Sequence, residues 1–212
     1  AGAPTVSTVD RIDFSNDLAT ASPRGPLSSA RYRLAATGNS NYGWFGGGAS
    51  PASVSTVDRI DFSNDSSTAS LRGPLSLARF NLSATGNSNY GWFGGGAVPT
   101  PAVFSTVERI DFTNDTATAS SRGLLSLARQ QAGATSGQAK GPAIKLQKAG
   151  NYGWFGGGGP ALAGGATATV DRIDFSNDSP TASIRGPLTA AKAYAAGTGN
   201  SNYGWFSGGL VS

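Results

Sequence analysis

Apolar and polar residues alternate through Ser7-Thr8-Val9-Asp10-Arg11-Ile12-Asp13-Phe14. Such alternation puts Ile12 and Phe14 on one face of a strand and Val9, Arg11 and Asp13 on the other. Asn16-Asp17 supplies turn chemistry directly after it. Further on, Asn41-Tyr42-Gly43-Trp44-Phe45 runs into Gly46–Gly48, the aromatic enrichment and glycine bracket of a buried strand. Thr20–Leu27 and Tyr32–Thr37 add two weaker strand candidates. The segments after Arg31, Arg79 and Lys192 are rich in Ala and Leu, but Gly-Asn-Ser breakers leave them too short for a stable helix.

This pattern occurs four times. The Val-Asp-Arg-Ile-Asp-Phe strand starts at Val9, Val57, Val107 (as Val-Glu-Arg-Ile-Asp-Phe) and Val170. An Arg-Gly-Pro-Leu-like phrase begins at Arg24, Arg72, Arg122 and Arg185, and the aromatic phrase at Asn41, Asn89, Asn151 and Asn202. The third repeat is longer because it carries a 12-residue insertion within Gly133–Gly150. About fifty residues and four strands per repeat match a propeller blade, and a unit of that size must stack on its neighbours to bury its apolar face. The expectation is therefore an all-β chain. Residues 1–212 would form one β-propeller domain of four four-stranded blades, its ring closed by pairing of the N- and C-terminal strands. A β-solenoid, an open repeat array, or closure between copies that exchange an unfinished blade are the alternatives. Ala1 rather than Met opens the chain, as in a processed product or an excerpt.

Composition narrows the chemistry. The 212 residues include 31 glycines and 11 prolines but no Cys, Met or His. Disulfides, thiolate chemistry, imidazole metal ligands and Ser-His-Asp catalysis are thereby excluded. No apolar run approaches the ~18 residues of a membrane span. The net charge of +4 dissolves on inspection. All 12 acidic residues occupy three positions of the repeat, those of Asp10, Asp13 and Asp17, and 12 of the 16 basic residues occupy those of Arg11, Arg24 and Arg31. The surplus is Arg33 together with Lys140, Lys145 and Lys148 of the insertion. Matched charges do not make a phosphate-tracking surface, so no specific nucleic acid is expected.

Repeated Arg and Asp in strands that face neighbouring blades read as a paired polar network between blades, because buried charge needs a partner. The residues expected there are Arg11, Asp13 and Arg31; Arg59, Asp61 and Arg79; Arg109, Asp111 and Arg129; and Arg172, Asp174 and Lys192. The spacing lacks the Asp-x-Asp-x-Asp-Gly loop of a calcium site, so no metal or other cofactor is expected. Four near-identical carboxylate pairs argue against a glycosidase, which needs two groups in distinct environments, so the chain is not expected to be an enzyme. The glycine runs lack the following lysine of a phosphate loop and suit tight turns. Exposed Tyr42 and Trp44 faces would suit sugar stacking, giving a lectin-like alternative. Lys140, Lys145 and Lys148 form a candidate partner-binding loop.

The phrases Tyr90-Gly91-Trp92-Phe93-Gly94-Gly95, Val107-Glu108-Arg109-Ile110-Asp111-Phe112 and Pro74-Leu75-Ser76-Leu77-Ala78-Arg79 together resemble the kelch repeat. That resemblance implies a β-propeller, and a kelch-type protein-interaction scaffold is one function it allows. Asp10–Asp17, Arg72–Arg79 and Asn89–Gly96 are also similar to phrases in repeat proteins of marine cyanophages, described as virion structural or tail-fibre-like. This likeness implies a non-catalytic adhesion or assembly module, in a virion or extracellular. Its partners would be other virion proteins or a host cell-surface glycan or protein, with self-association a further option.

Overall fold

The computed structural model describes residues 4–16, 18–99, 102–137, 151–160 and 165–211. Among these residues every regular element is a strand. The first repeat gives β1 (Val9–Arg11), β2 (Ser22–Arg24), β3 (Ala35–Gly38), β4 (Tyr42–Gly46), and a short hairpin β5 (Ala49–Ser50) and β6 (Ala52–Ser53). The second gives β7 (Val57–Asp61), β8 (Ser70–Arg72), β9 (Ser83–Gly86), β10 (Tyr90–Gly94), β11 (Ala97–Val98) and β12 (Ala102–Val103). The third gives β13 (Val107–Asp111), β14 (Ser120–Ser121), β15 (Gly133–Ser136) and β16 (Tyr152–Gly156). The last gives β17 (Val170–Asp174), β18 (Ser183–Arg185), β19 (Ala196–Gly199) and β20 (Gly204–Ser207).

These strands build antiparallel sheets that straddle the repeats. The orders β3-β4-β7-β8, β9-β10-β13-β14 and β15-β16-β17-β18 each take two strands from one repeat and two from the next. Register is the same in all three: Trp44 faces Arg59, Trp92 faces Arg109 and Trp154 faces Arg172. The turn between β3 and β4 is closed by Asn39, whose side chain accepts from the Asn41 and Tyr42 amides. In the third repeat the insertion replaces this turn, between Ser136 and Tyr152.

The middle sheets are covered on both faces, which explains why both faces of the Val-Asp-Arg-Ile-Asp strand bury apolar groups. Trp44, Val57, Leu75, Leu82, Phe93, Ile110 and Ala119 form one core between the first two complete sheets. Trp92, Val107, Leu125, Phe155, Ile173, Phe175 and Ala182 repeat it between the next two. Close approach depends on glycine. A Cβ on Gly46 would sit 2.8 Å from the Phe93 ring, and one on Gly94 would sit 2.8 Å from Phe155. The inner strands lie side by side in the order β3, β9, β15, β19. A backbone ladder runs along them, with Asn81 N–H donating to Arg33 O, Gln131 N–H to Asn81 O, and Tyr194 N–H to Gln131 O. Arg33, Asn81, Gln131 and Tyr194 all take positive φ to make this ladder.

The expected ring closure is not seen. Because each sheet spans two repeats, four repeats give three complete sheets and two halves, β1-β2 and β19-β20. β1 pairs only with β2 and β20 only with β19 among the described residues. Each inner strand packs on the next, so among the described residues the two half-sheets stand at opposite ends of a row and do not pair with each other. Residues buried in the middle are bare at the ends: Trp44 and Trp92 are fully buried, whereas Trp205 is 50% exposed and Phe14 is 92% exposed.

Candidate functional site

The charged positions of the repeat fall into three sets with separate jobs. Arg31, Arg79 and Arg129 have fully buried side chains paired with equally buried Asp58, Glu108 and Asp171. In the second pair Arg79 Nη2 lies 2.7 Å from Glu108 Oε2. The same guanidinium donates to the carbonyls of Gly95, Thr106 and Phe93, and Glu108 Oε1 accepts from the Ser76 amide. Each pair therefore pins the end of one aromatic strand to the first strand of the next repeat. Burial pushes the Arg79 and Arg129 guanidiniums below their ordinary pKa, against the pull of Glu108 and Asp171.

A second set joins one sheet to the next. Asp115 Oδ2 accepts from Trp44 Nε1 at 2.9 Å and from Arg59 Nη1 at 3.0 Å, with Arg72 Nε at 3.4 Å. Asp178 repeats this for Trp92, Arg109 and Arg122, and Asp65 does so for Arg11 and Arg24. The Trp44 ring stacks on Phe112 at 3.8 Å and Trp92 on Phe175 at 4.0 Å. Arg59 and Arg109 also lie over the Tyr42 and Tyr90 rings, each at 4.3 Å. At the two internal junctions one carboxylate oxygen thus accepts from an indole and one guanidinium, while the second guanidinium is held only as an ion pair and its buried Nε makes no hydrogen bond.

The third set is local. Asp13, Asp61, Asp111 and Asp174, expected between blades, instead cap the turn after their own strand. Each Oδ1 accepts from the amide and hydroxyl of Ser15, Ser63, Thr113 or Ser176. These hydroxyl bonds, with the amide bonds second or third in effect, hold all four carboxyls below the usual range. The interface acids are those of the Asp58 and Asp115 positions, which the sequence reading passed over. A signal for the first was present: Asp58 shares the parity of Ile60, so it enters the same buried face. The second lies beyond the strand, where no periodicity points.

The fourth repeat breaks the scheme. Lys192 stands where Arg31, Arg79 and Arg129 stand and is half-buried, while Arg172 lies over Tyr152 at 4.0 Å. Among the described residues no ion pair reaches Lys192, Arg172 or Arg185. Asp17 and the loop lysines Lys140, Lys145 and Lys148 lie outside the described residues.

The remaining candidates are occupied by the scaffold. Gly47 and Gly48 amides donate to Thr56 O and Arg79 O, so that glycine run offers no free anion cradle. The internal Trp44 and Trp92 rings are enclosed and present no stacking surface. A groove of about 420 Å³ runs beside the inner strands, lined by Thr85, Thr135, Ser136, Thr198, Asn200 and Ser201, without a charged group. Among the described residues no three acidic side chains converge as a metal site would require. Among the described residues no helix is long and apolar enough to cross a membrane. No protein-family model and no curated protein matches the chain.

Proposed function

We propose that this chain is a non-catalytic structural and binding module, a rigid row of kelch-like blades used for adhesion or assembly in a virion appendage. The observation that carries the reading is the use of the charged repeat positions. The internal copies of the buried Arg–carboxylate pair and of the Trp–Asp–Arg junction hold repeats together, each charge engaged by the scaffold itself. What supports a virion setting is the resemblance of the three repeated phrases to tail-fibre-like repeat proteins. Its partners are then neighbouring virion proteins or a host surface, met through the loops. The test is mass spectrometry of purified particles from the source, with an array of cell-surface glycans and a panel of glycoside substrates. Peptides of this chain in the particles, and no turnover, are expected. Absence from particles together with hydrolysis of any glycoside overturns the reading.

A further inference from the structure

The two ends of the row carry the two halves of an interface that the chain builds three times internally. At the C-terminal end, β20 has a free edge on the side where β4, β10 and β16 pair with β7, β13 and β17. At the N-terminal end, β1 has a free edge on the side where β7, β13 and β17 pair with those aromatic strands. Continuing the internal register places Phe206 opposite Asp10 and Trp205 opposite Arg11, as Phe45 faces Asp58 and Trp44 faces Arg59.

Side chains match as well as edges. Arg31, Arg79 and Arg129 reach the first acid of the following repeat. Among the described residues no acid reaches Lys192, the counterpart of those arginines, and Asp10, the counterpart of those acids, is exposed with no ion pair. Trp92 stacks on Phe175 of the next sheet, whereas among the described residues Trp154 stacks on no phenyl ring, and Phe14 is 92% exposed. Gly25, Gly73 and Gly123 are each so closely roofed by the following repeat that an added Cβ would strike the carbonyl oxygen of Ser67, Ala117 or Pro180. Their counterpart Gly186 has nothing within 4 Å. Apolar groups, charges and a steric socket are thus all left open in complementary pairs, continuous with an interface already formed within the chain.

We infer that the C-terminal half-sheet of one copy receives the N-terminal half-sheet of a second copy, completing a four-stranded sheet across the junction. The inference rests on the scaffold reading and names its assembly surface. The contact is heterologous, so copies add head to tail. Lys192 then meets Asp10 of the second copy, and Trp154 stacks on its Phe14. One feature tempers affinity: Ser207 stands where Gly46, Gly94 and Gly156 admit a phenyl ring, so its Cβ presses on the incoming Phe45.

Gly186→Ala is the sharpest probe. The open site and a φ outside the left-handed region accept a methyl group within one copy, but the second copy's backbone would collide with it. Sedimentation velocity of the 212-residue chain over a concentration series should show masses at or above twice 21.3 kDa. Gly186→Ala should remain at the monomer mass with an unchanged melting curve, and Ser207→Gly should assemble at lower concentration. Mating is then fixed by cross-linking, since the chain has no Cys of its own. Val9 and Ser207 would be opposed as Val57 and Gly46 are, a position flanked by the Gly47–Thr56 hydrogen bond. Side chains approach closest at such non-hydrogen-bonded pairs. An oxidised mixture of Val9→Cys chains and Ser207→Cys chains should give a mixed disulfide dimer. A chain that stays monomeric at all concentrations overturns the inference. So does assembly by Gly186→Ala equal to the parent, or a Val9→Cys/Ser207→Cys chain that locks within itself. These outcomes leave the scaffold reading standing, which fails only on its own particle and turnover test.

Discussion

Replacing Glu108 by Gln tests the buried ties that hold one repeat to the next. The amide keeps the size of the carboxylate and an oxygen to accept from the Ser76 amide. It leaves the Arg79 guanidinium, whose side chain is fully buried, without a counter-charge. Removing one partner of a buried pair costs about 3–5 kcal/mol because the other charge stays desolvated. For a chain of this size each kcal/mol moves the melting temperature by about 2–4 °C, so a fall of roughly 6–20 °C is expected. Urea and thermal unfolding followed by circular dichroism would measure it. Changing Arg79 to Met as well should restore part of the loss, since the stranded charge is gone. Recovery stays partial because the Gly95, Thr106 and Phe93 carbonyls lose their donor. A cost for Glu108→Gln below ~1 kcal/mol, the range of an exposed pair, would mean that Arg79 is not stranded in a desolvated site.

Gly94→Ala should destabilise by about 1–3 kcal/mol through overpacking against Phe155, whose ring is fully buried; an unchanged urea midpoint would contradict the close sheet contact. Acid should unfold the protein with a defined sign. Asp61, Asp111 and Asp174 have folded-state pKa values held down by their turns, so their contribution is complete above the unfolded value of about 3.9 and is lost as pH falls through the lower folded value. Urea midpoints should therefore hold level from pH 7 to about 5 and drop below about 4, and Thr113→Val, which removes the hydroxyl donor to Asp111, should flatten that drop. Replacing residues 136–151 with the Gly-Asn-Ser-Asn turn of the other repeats should leave the melting temperature within about 2 °C, because shortening a connection changes closure entropy little and β15 and β16 keep their pairing. A collapse of the fold would show that the insertion helps hold β15 to β16.

Much of the architecture could be read from residues alone, and for clear reasons. Tyr-Gly-Trp-Phe before a glycine run and the alternating Val-Asp-Arg-Ile-Asp both encode strands by local chemistry, and both form where expected. That both faces of Val57–Asp61 are covered follows from stacking the repeats, a long-range fact that the period only implies. The partners of the arginines were harder. Asp61 lies next in line after Ile60 and looks like an interface acid, yet Ser63 two residues on captures it in a turn. Asp115 reaches across 71 residues to Trp44, and no local pattern announces such a bond. Ring closure is an expectation of the blade architecture, and the repeat count does not say where successive sheet contacts carry the ends.

If the repeated charges join successive sheets, Arg109 and Asp178 must be energetically coupled, which a double-mutant cycle between them measures. These residues are 69 apart in sequence and 3.0 Å apart in the fold. Urea unfolding of Arg109→Met, Asp178→Asn and the double variant gives their coupling. A coupling of about 0.5–3 kcal/mol is expected, as found for residues in contact within one network. Costs that add within about 0.3 kcal/mol, the behaviour of distant independent sites, would contradict it.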